Sequence, residues 1–222
     1  MFHNDIEQDE LTYLKFAKEY LSDSPILFDI GLNRGEFTEH WLREYPQGRS
    51  FGFEPIPDIY SIACANFEGD DRSTFFNYGI SDKNQTGVKF YYLRNNFDGM
   101  SSLHYRPVHY PKFNVEEILV ETKTLDSIYK DLGNPNYIKI DTEGNEYFVL
   151  TGADHLLEEC HPQFIQFEIG ETIWDSHVTF KQIVEYLYSK NYIIFNHKFQ
   201  VICPENVTED TRCANYLAIY NG

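Results

Sequence analysis

The sequence predicts an α/β fold with a mostly parallel sheet covered by helices on both faces. Three observations carry that expectation. Short apolar runs alternate with segments of helical period along most of the chain. One stretch, FDIGLNRGEF, passes from a strand through a glycine turn into a helix. The length, 222 residues with 42% apolar and 17% aromatic side chains, suits one sizeable core and is short for two. A single domain over 1–222 is expected, with an N-terminal helical segment over 1–24 and an insertion over 87–122.

The elements follow in order. Residues 5–21 place Ile6, Tyr13, Leu14, Ala17 and Leu21 at helical spacing among charges, and Asp23-Ser24-Pro25 stops the helix. ILFDIG (26–31) reads as a strand, and Phe37, Trp41 and Tyr45 recur every four residues on one helical face. SFGF (50–53) is the next strand, and Pro57 suits the first turn of a helix through IYSIACANF. TFFNYGI (74–80) reads as a third strand. The alternation then breaks: GVKFYYLR (87–94) and EEILVETKT (116–124) read as strands around a polar, aromatic segment with no helical period, the insertion or lid. After it come a helix through TLDSIYKDL capped by Thr124, a strand YIKID and one or two helices in NEYFVLTGADHLLEE. FIQFEIG is a strand, TFKQIVEYLYSKN a helix, and YIIFNH and ANYLAIYN a closing pair of strands.

Eighteen basic against 35 acidic residues give a formal charge of −17 without any Lys/Arg run, which argues against nucleic acid or anionic membranes as partners. No apolar stretch approaches the roughly 18 residues that span a bilayer. The N-terminus shows no basic-then-apolar signal pattern, and Cys64, Cys160, Cys203 and Cys213 lack any C-x-x-C spacing. Free thiols in a reducing cytoplasm are expected, although Cys203 and Cys213 are spaced to face each other across a hairpin.

In FDIGLNRGEF a strand delivers Asp29, then Gly31, Asn33 and Gly35 enter the turn before a helix. Glycine permits positive φ and close approach of a ligand to the backbone, and the helix start offers unpaired N–H groups. Glu54 ends the next strand about 20 residues on, where nucleotide-binding sheets place the carboxylate that grips ribose hydroxyls. A nicotinamide dinucleotide fits poorly. Its G-x-G-x-x-G fingerprint started at Gly31 meets Asn33 and Glu36, and Glu36 sets a negative charge near any pyrophosphate. The D-x-G-x-N-x-G pattern suits a ligand without phosphates, such as S-adenosylmethionine.

FDIGLNRGEFT, FGFEP, YGIS, TLDS, YIKIDTEGNEYFVLTGA and FIQFEIG occur in the order of the FkbM-type S-adenosylmethionine-dependent methyltransferases, and the chain resembles that family from about residue 26 to 170. The resemblance implies the Rossmann-like class I methyltransferase sheet, seven strands with the last antiparallel. It implies S-adenosylmethionine as cofactor and S-adenosylhomocysteine as product. It also implies roles: Asp29, Gly31, Asn33, Gly35 and Thr38 around the methionine part, Glu54 on the ribose, and Ile56 and Ser81 near the adenine. Gly31-Leu32-Asn33 departs mildly from the family's more usual Gly-Ala-Asn and keeps both turn-forming residues. Members often O-methylate sugars and natural-product hydroxyls, so the expected acceptor is a sugar hydroxyl, a deoxysugar such as rhamnose or fucose in a glycan. A natural-product or lipid-linked hydroxyl, and a non-catalytic S-adenosylmethionine-binding protein, are the alternatives.

NPNYIKIDTEGNE (134–146) carries two motifs of opposite meaning. Asn134-Pro135-Asn136-Tyr137 resembles the cradle of amino methyltransferases, but it precedes the strand and so lies about 16 Å from the ligand-binding end. It is a turn. Asp141 and Glu143 stand at the opposite end, the edge to which Asp29, Glu54 and Glu168 also point. An alcohol oxygen must be aligned with the donated methyl and lose its proton. Asp141 is the first candidate for the base, with Glu143, Glu168 and His104 as alternatives, and Asp141 also faces the cofactor. Asp98, Ser101, Ser102, His104, Tyr105 and Arg106 of the insertion offer hydroxyls, an imidazole and aromatic faces to a sugar. Asp141, Glu143 and Glu168 are oxygen ligands of the kind Mg²⁺ accepts, yet their spacing requires no metal. The chain is also compatible with being a module of a larger glycan-assembly protein.

Overall fold

The computed structural model describes residues 3–94, 98–107, 110–207 and 214–222. The elements in chain order are α1 (His3–Ala17), β1 (Ile26–Ile30), α2 (Glu36–Glu44), β2 (Arg49–Phe53), α3 (Pro57–Asn66), β3 (Ser73–Phe76), β4 (Gly79–Ile80), β5 (Gln85–Leu93), β6 (Val115–Lys123), α4 (Tyr129–Leu132), β7 (Tyr137–Ile140), α5 (Glu146–Thr151), α6 (Asp154–Glu159), β8 (Phe164–Ile169), α7 (Phe180–Ser189), β9 (Tyr192–Phe195), β10 (Val201–Ile202) and β11 (Ala214–Tyr220).

Eight strands form the main sheet in the order β3-β2-β1-β7-β8-β11-β9-β10. From β3 to β8 every pairing is parallel, and β11 enters antiparallel between β8 and β9. The α/β class with an antiparallel last strand is as the sequence predicts. The strand count is one higher, because short β10 folds back on the edge strand β9. The two-residue period of the strands sorts their side chains. Leu27, Tyr137, Phe164 and Leu217 pack with Tyr13 of α1 and Trp41 of α2 on one face. Their neighbours Phe28, Ile138, Ile165 and Ala218 pack with α5, α6 and α7 on the other.

Several boundaries differ from the sequence reading. Residues 74–80 are not one strand, since the chain leaves the main sheet after Phe76. The Asn77 side chain holds the bend by donating to the Glu54 and Pro55 carbonyls (2.9 and 3.3 Å). Gly79–Ile80 then starts a second sheet, β4-β6-β5, which carries the insertion. The N-terminal helix ends at Ala17 rather than near 21, closed by Tyr20 and Leu21 N–H groups donating to the Ala17 carbonyl. TLDSIYKDL splits into a 3-10 turn, Leu125–Ser127, and the single turn α4, with the Thr124 side chain capping the first as expected. Asn134-Pro135-Asn136 is a turn, and the Asn136 side chain accepts from the Ile26 N–H at 2.9 Å, at the end of the sheet away from the glycine turn. Cys64, Cys160 and Cys203 are free thiols, and Cys213 lies outside the described residues.

Candidate active site

β1 ends at Ile30 and the chain turns at Gly31, whose φ of +84° glycine reaches without strain. A Cβ there would sit 1.7 Å from the Asp141 carbonyl oxygen, so the turn is pressed against the loop that follows β7. Glu54, just past β2, fastens the turn. Its carboxylate accepts from the backbone N–H of Asn33 (3.0 Å) and of Ile56 (2.9 Å), so one buried side chain fixes loops from two adjacent strands.

The loop after β7 is braced from below by Glu146, which accepts from the Thr142 N–H and hydroxyl and from the Gly144 N–H at 2.9–3.1 Å. At its crest Glu143 adopts φ +54°, uncommon for a residue with a side chain. Gly144 (φ +103°) is required beside it, because a Cβ would lie 2.7 Å from the Thr172 carbonyl.

Between these loops, at the carboxyl ends of β1, β2, β7 and β8, lies a cavity of about 900 Å³. Phe53, Ile56, Ile80 and Phe90 give it an apolar wall, and Glu54 lines it as well. Its acidic wall comes from Glu10 of α1, Glu36, Asp141, Glu143 and Glu168, with Lys139 among the lining residues. Lys139 is nearly buried and donates to Asp141 Oδ2 at 3.1 Å. It stands opposite Asp29 across the β1–β7 pairing. Burial disfavours the Lys139 charge, but Asp141, Glu10 and Asp29 more than offset this and push its pKa up.

The carboxylates are pushed apart in character. Burial, and then repulsion from Asp141, raises Glu143 to about 8, with Arg106 pulling the other way. Burial, and then Asp141 and Glu143, raises Glu168 to about 9. Asp29 is fully buried and accepts from the Thr38 hydroxyl at 2.7 Å, and its Oδ1 has no hydrogen-bond partner among the described residues. Burial raises it to about 6 against the pull of Lys139.

Of the residues singled out by sequence, Gly31, Asn33, Glu54, Ile56, Ser101, Asp141, Glu143 and Glu168 line the cavity. Asp29, Gly35, Thr38 and Ser81 are not among the residues that line it. The described insertion residues mostly hold the site rather than face it. Ser102 donates to the Glu143 carbonyl (2.7 Å), and His104 Nε2 lies 3.3 Å from Asn145 Oδ1 with its ring stacked on Phe148. Arg106 pairs with Glu143 and Asp175, while Tyr105 is half exposed and packs edge-on against Tyr91 and Tyr110. The Asp98 side chain lies outside the described part of the structure. Sequence reasoning missed Lys139, Glu10 and the brace Glu146. The signal for Lys139 was present: a lysine inside YIKI, a strand buried on both faces, demands a carboxylate partner.

The profile of the Methyltransferase FkbM domain matches residues 29–194. The chain belongs to the FkbM methyltransferase family. Family membership makes it a methyltransferase with S-adenosylmethionine as cofactor. It is similar to the 2-O-methyltransferase NoeI of Sinorhizobium fredii, 25% identical over 174 residues that cover 73% of this chain and 71% of NoeI. It is 26% identical to Methyltransferase sdnD of Sordaria araneosa over 205 residues, covering 78% and 76% of the two chains. Among solved structures the Methyltransferase FkbM of Methylobacillus flagellatus KT has the same fold, with a TM-score of 0.56 at 19% identity. That likeness covers 92% of this chain but only 46% of the Methylobacillus protein, so the chain spans a little under half its length.

The FkbM site suits the cofactor on its own geometry. The Gly31 turn has no room for a side chain and exposes backbone. Glu54 stands at the strand end suited to a ribose, beside an apolar wall suited to a flat base, and the carboxylates suit a cation. Among the described residues no group of three His, Cys, Asp or Glu side chains is arranged to hold a metal ion. None of the described helices is long and apolar enough to cross a membrane.

Proposed function

We propose that this FkbM domain is an O-methyltransferase acting on a sugar hydroxyl, with a deoxysugar such as rhamnose or fucose in a glycan as the acceptor of first choice. The observation that carries the reading is the convergence of Glu143 and Glu168, both with raised pKa values, on the cavity beside the Gly31 turn. Support for oxygen as the acceptor atom comes from NoeI, a relative named as a 2-O-methyltransferase. Support for a sugar comes from the acidic wall, whose carboxylates accept hydrogen bonds from several hydroxyls at once.

S-adenosylmethionine supplies an activated methyl group on a positively charged sulfur. Gly31, Asn33 and Asp141 are the residues that would hold its amino-acid end, Glu54 its ribose, and Ile56 its base. Glu143 takes the base role from Asp141, because Asp141 already accepts from Lys139 whereas Glu143 titrates near 8. As the methyl carbon passed to the acceptor oxygen, the carbon–sulfur bond would break with its electron pair left on sulfur as S-adenosylhomocysteine, and a Glu143 carboxylate oxygen would take the hydroxyl proton. Glu168, titrating higher, holds the acceptor as a hydrogen-bonding group. The free thiols fit a cytoplasmic setting for this activity.

Glu143→Gln should cut turnover about 10²- to 10⁴-fold while S-adenosylhomocysteine still binds by calorimetry. Unchanged turnover would remove Glu143 from the role. Incubating the protein with S-adenosylmethionine and a panel of glycan acceptors, and looking by mass spectrometry for one added methyl, tests the substrate class. Methylation of amines alone would overturn the oxygen assignment.

A further inference from the structure

The insertion reaches the acidic loop through one charged side chain whose setting is unusual. Arg106 is about 5% exposed, far below the norm for arginine. Its Nη1 lies 3.4 Å from Glu143 Oε2 and its Nε 3.7 Å from Asp175 Oδ2, both long for charge-assisted bonds. Among the described residues Nε has no hydrogen-bond partner. A guanidinium stretched between two carboxylates in this way is shared between them. Neighbouring contacts fix the arrangement: Ser102 donates to the Glu143 carbonyl, and His104 abuts Asn145, which itself donates to the Ile80 carbonyl at 2.9 Å.

We propose that Arg106 is a positioning residue: it holds the Glu143 carboxylate at the crest of its loop and favours the anionic form, and Asp175 competes for it. This deepens the assignment of Glu143 as base and rests on that assignment. Arg106 therefore acts from behind the cavity wall, and the insertion contributes to the reaction by orienting the base rather than by offering Arg106 to the acceptor.

The charges that bear on Glu143 come from every side. Asp141 in the same loop and Glu146 at the start of α5 oppose its ionisation, as does the like charge of Glu168 on β8, while Lys139 on β7 and Arg106 from the insertion favour it. Asp175, on the 3-10 turn after β8, also pairs with Arg106, and removing its charge favours ionisation of Glu143 both by freeing Arg106 and by ending a like-charge repulsion. Two substitutions then have opposite effects. Arg106→Met keeps the bulk and removes the charge, and the acidic limb of the kcat profile should move up by about one pH unit or more. Asp175→Asn leaves Arg106 wholly to Glu143, and the same limb should move down. Arg106→Lys should restore part of the wild-type profile.

The test is a pH–kcat series on the wild type, Arg106→Met, Arg106→Lys, Asp175→Asn, Glu143→Gln and the double variant Arg106→Met/Glu143→Gln. Calorimetry with S-adenosylhomocysteine accompanies each as a check on the fold. Opposite shifts for Arg106→Met and Asp175→Asn, with the double variant no slower than Glu143→Gln alone, support the proposal. If Glu143→Gln is inactive but Arg106→Met leaves the limb in place, or both variants shift it the same way, the positioning role is overturned and the base assignment stands. If Glu143→Gln retains full turnover, the base assignment fails first. Should Arg106→Met lose S-adenosylhomocysteine binding, Arg106→Lys and Asp175→Asn decide alone: no displacement in either overturns the proposal.

Discussion

Gly31 shows how much a single position decides here. Its backbone is left-handed and its missing Cβ is the clearance against the Asp141 carbonyl, so Gly31→Ala combines conformational strain with a clash against backbone that cannot swing away. The expected outcome is loss of S-adenosylhomocysteine binding by at least about tenfold with a lowered melting temperature. Calorimetry and a thermal melt check both. Gly31, Asn33 and Glu54 were legible in the sequence, because a turn that needs positive φ and a strand-end acid leave marks in residue type and spacing. The pairing of Lys139 with Asp141 was not legible in the same way. Which of three neighbouring carboxylates takes the cation depends on strand register and side-chain direction, and no spacing along the chain encodes that.

At the scale of the element, α7 gives a control on stability. The Thr179 hydroxyl accepts from the Gln182 N–H while the Gln182 side chain accepts from the Thr179 N–H, a capping box whose residues do not line the cavity. Thr179→Ala should cost about 1 kcal/mol with turnover unchanged, and chemical denaturation paired with an activity assay measures both. The alternating segments β1–α2–β2–α3 and β7–α5 were readable because their periods switch cleanly from two residues to four. Residues 74–80 misled for a physical reason: TFFNYGI has uninterrupted strand propensity. The break comes from a side-chain contact, Asn77 to the Glu54 and Pro55 carbonyls, that links residues distant in sequence. The insertion residues read as a sugar platform, yet packing uses Ser102, His104 and Arg106 as fastenings and leaves Tyr105 half exposed.

Across the whole molecule, the raised acids tie stability to pH. In the unfolded chain Asp29, Glu143 and Glu168 lose their protons near 4, whereas in the folded chain they keep them to about 6, 8 and 9. Between roughly pH 4 and 9 the native state thus binds more protons than the unfolded one, and stability falls as pH rises. Thermal melts of the cofactor-free protein should show a maximum on the acidic side of neutrality and a decline toward pH 9. Glu168→Gln should flatten that decline, and a melting temperature that rises steadily to pH 9 would contradict the buried character of these acids. The same charges predict a cofactor effect. The sulfonium adds a positive charge absent from S-adenosylhomocysteine, so affinity for S-adenosylmethionine relative to the product should increase from pH 6 to pH 9, measured by calorimetry at both.

The first helix has a practical bearing. Tyr13 reaches across to the Asn215 carbonyl, Tyr13 and Leu14 are sealed against the sheet, and Glu10 forms part of the cavity wall. A shortened recombinant version beginning at Pro25 would keep every strand of the main sheet, yet it would lay bare Tyr137 and Phe164 and breach the chamber where chemistry is meant to happen. Such a product would be expected to clump in solution and to let bulk water flood its reactive pocket.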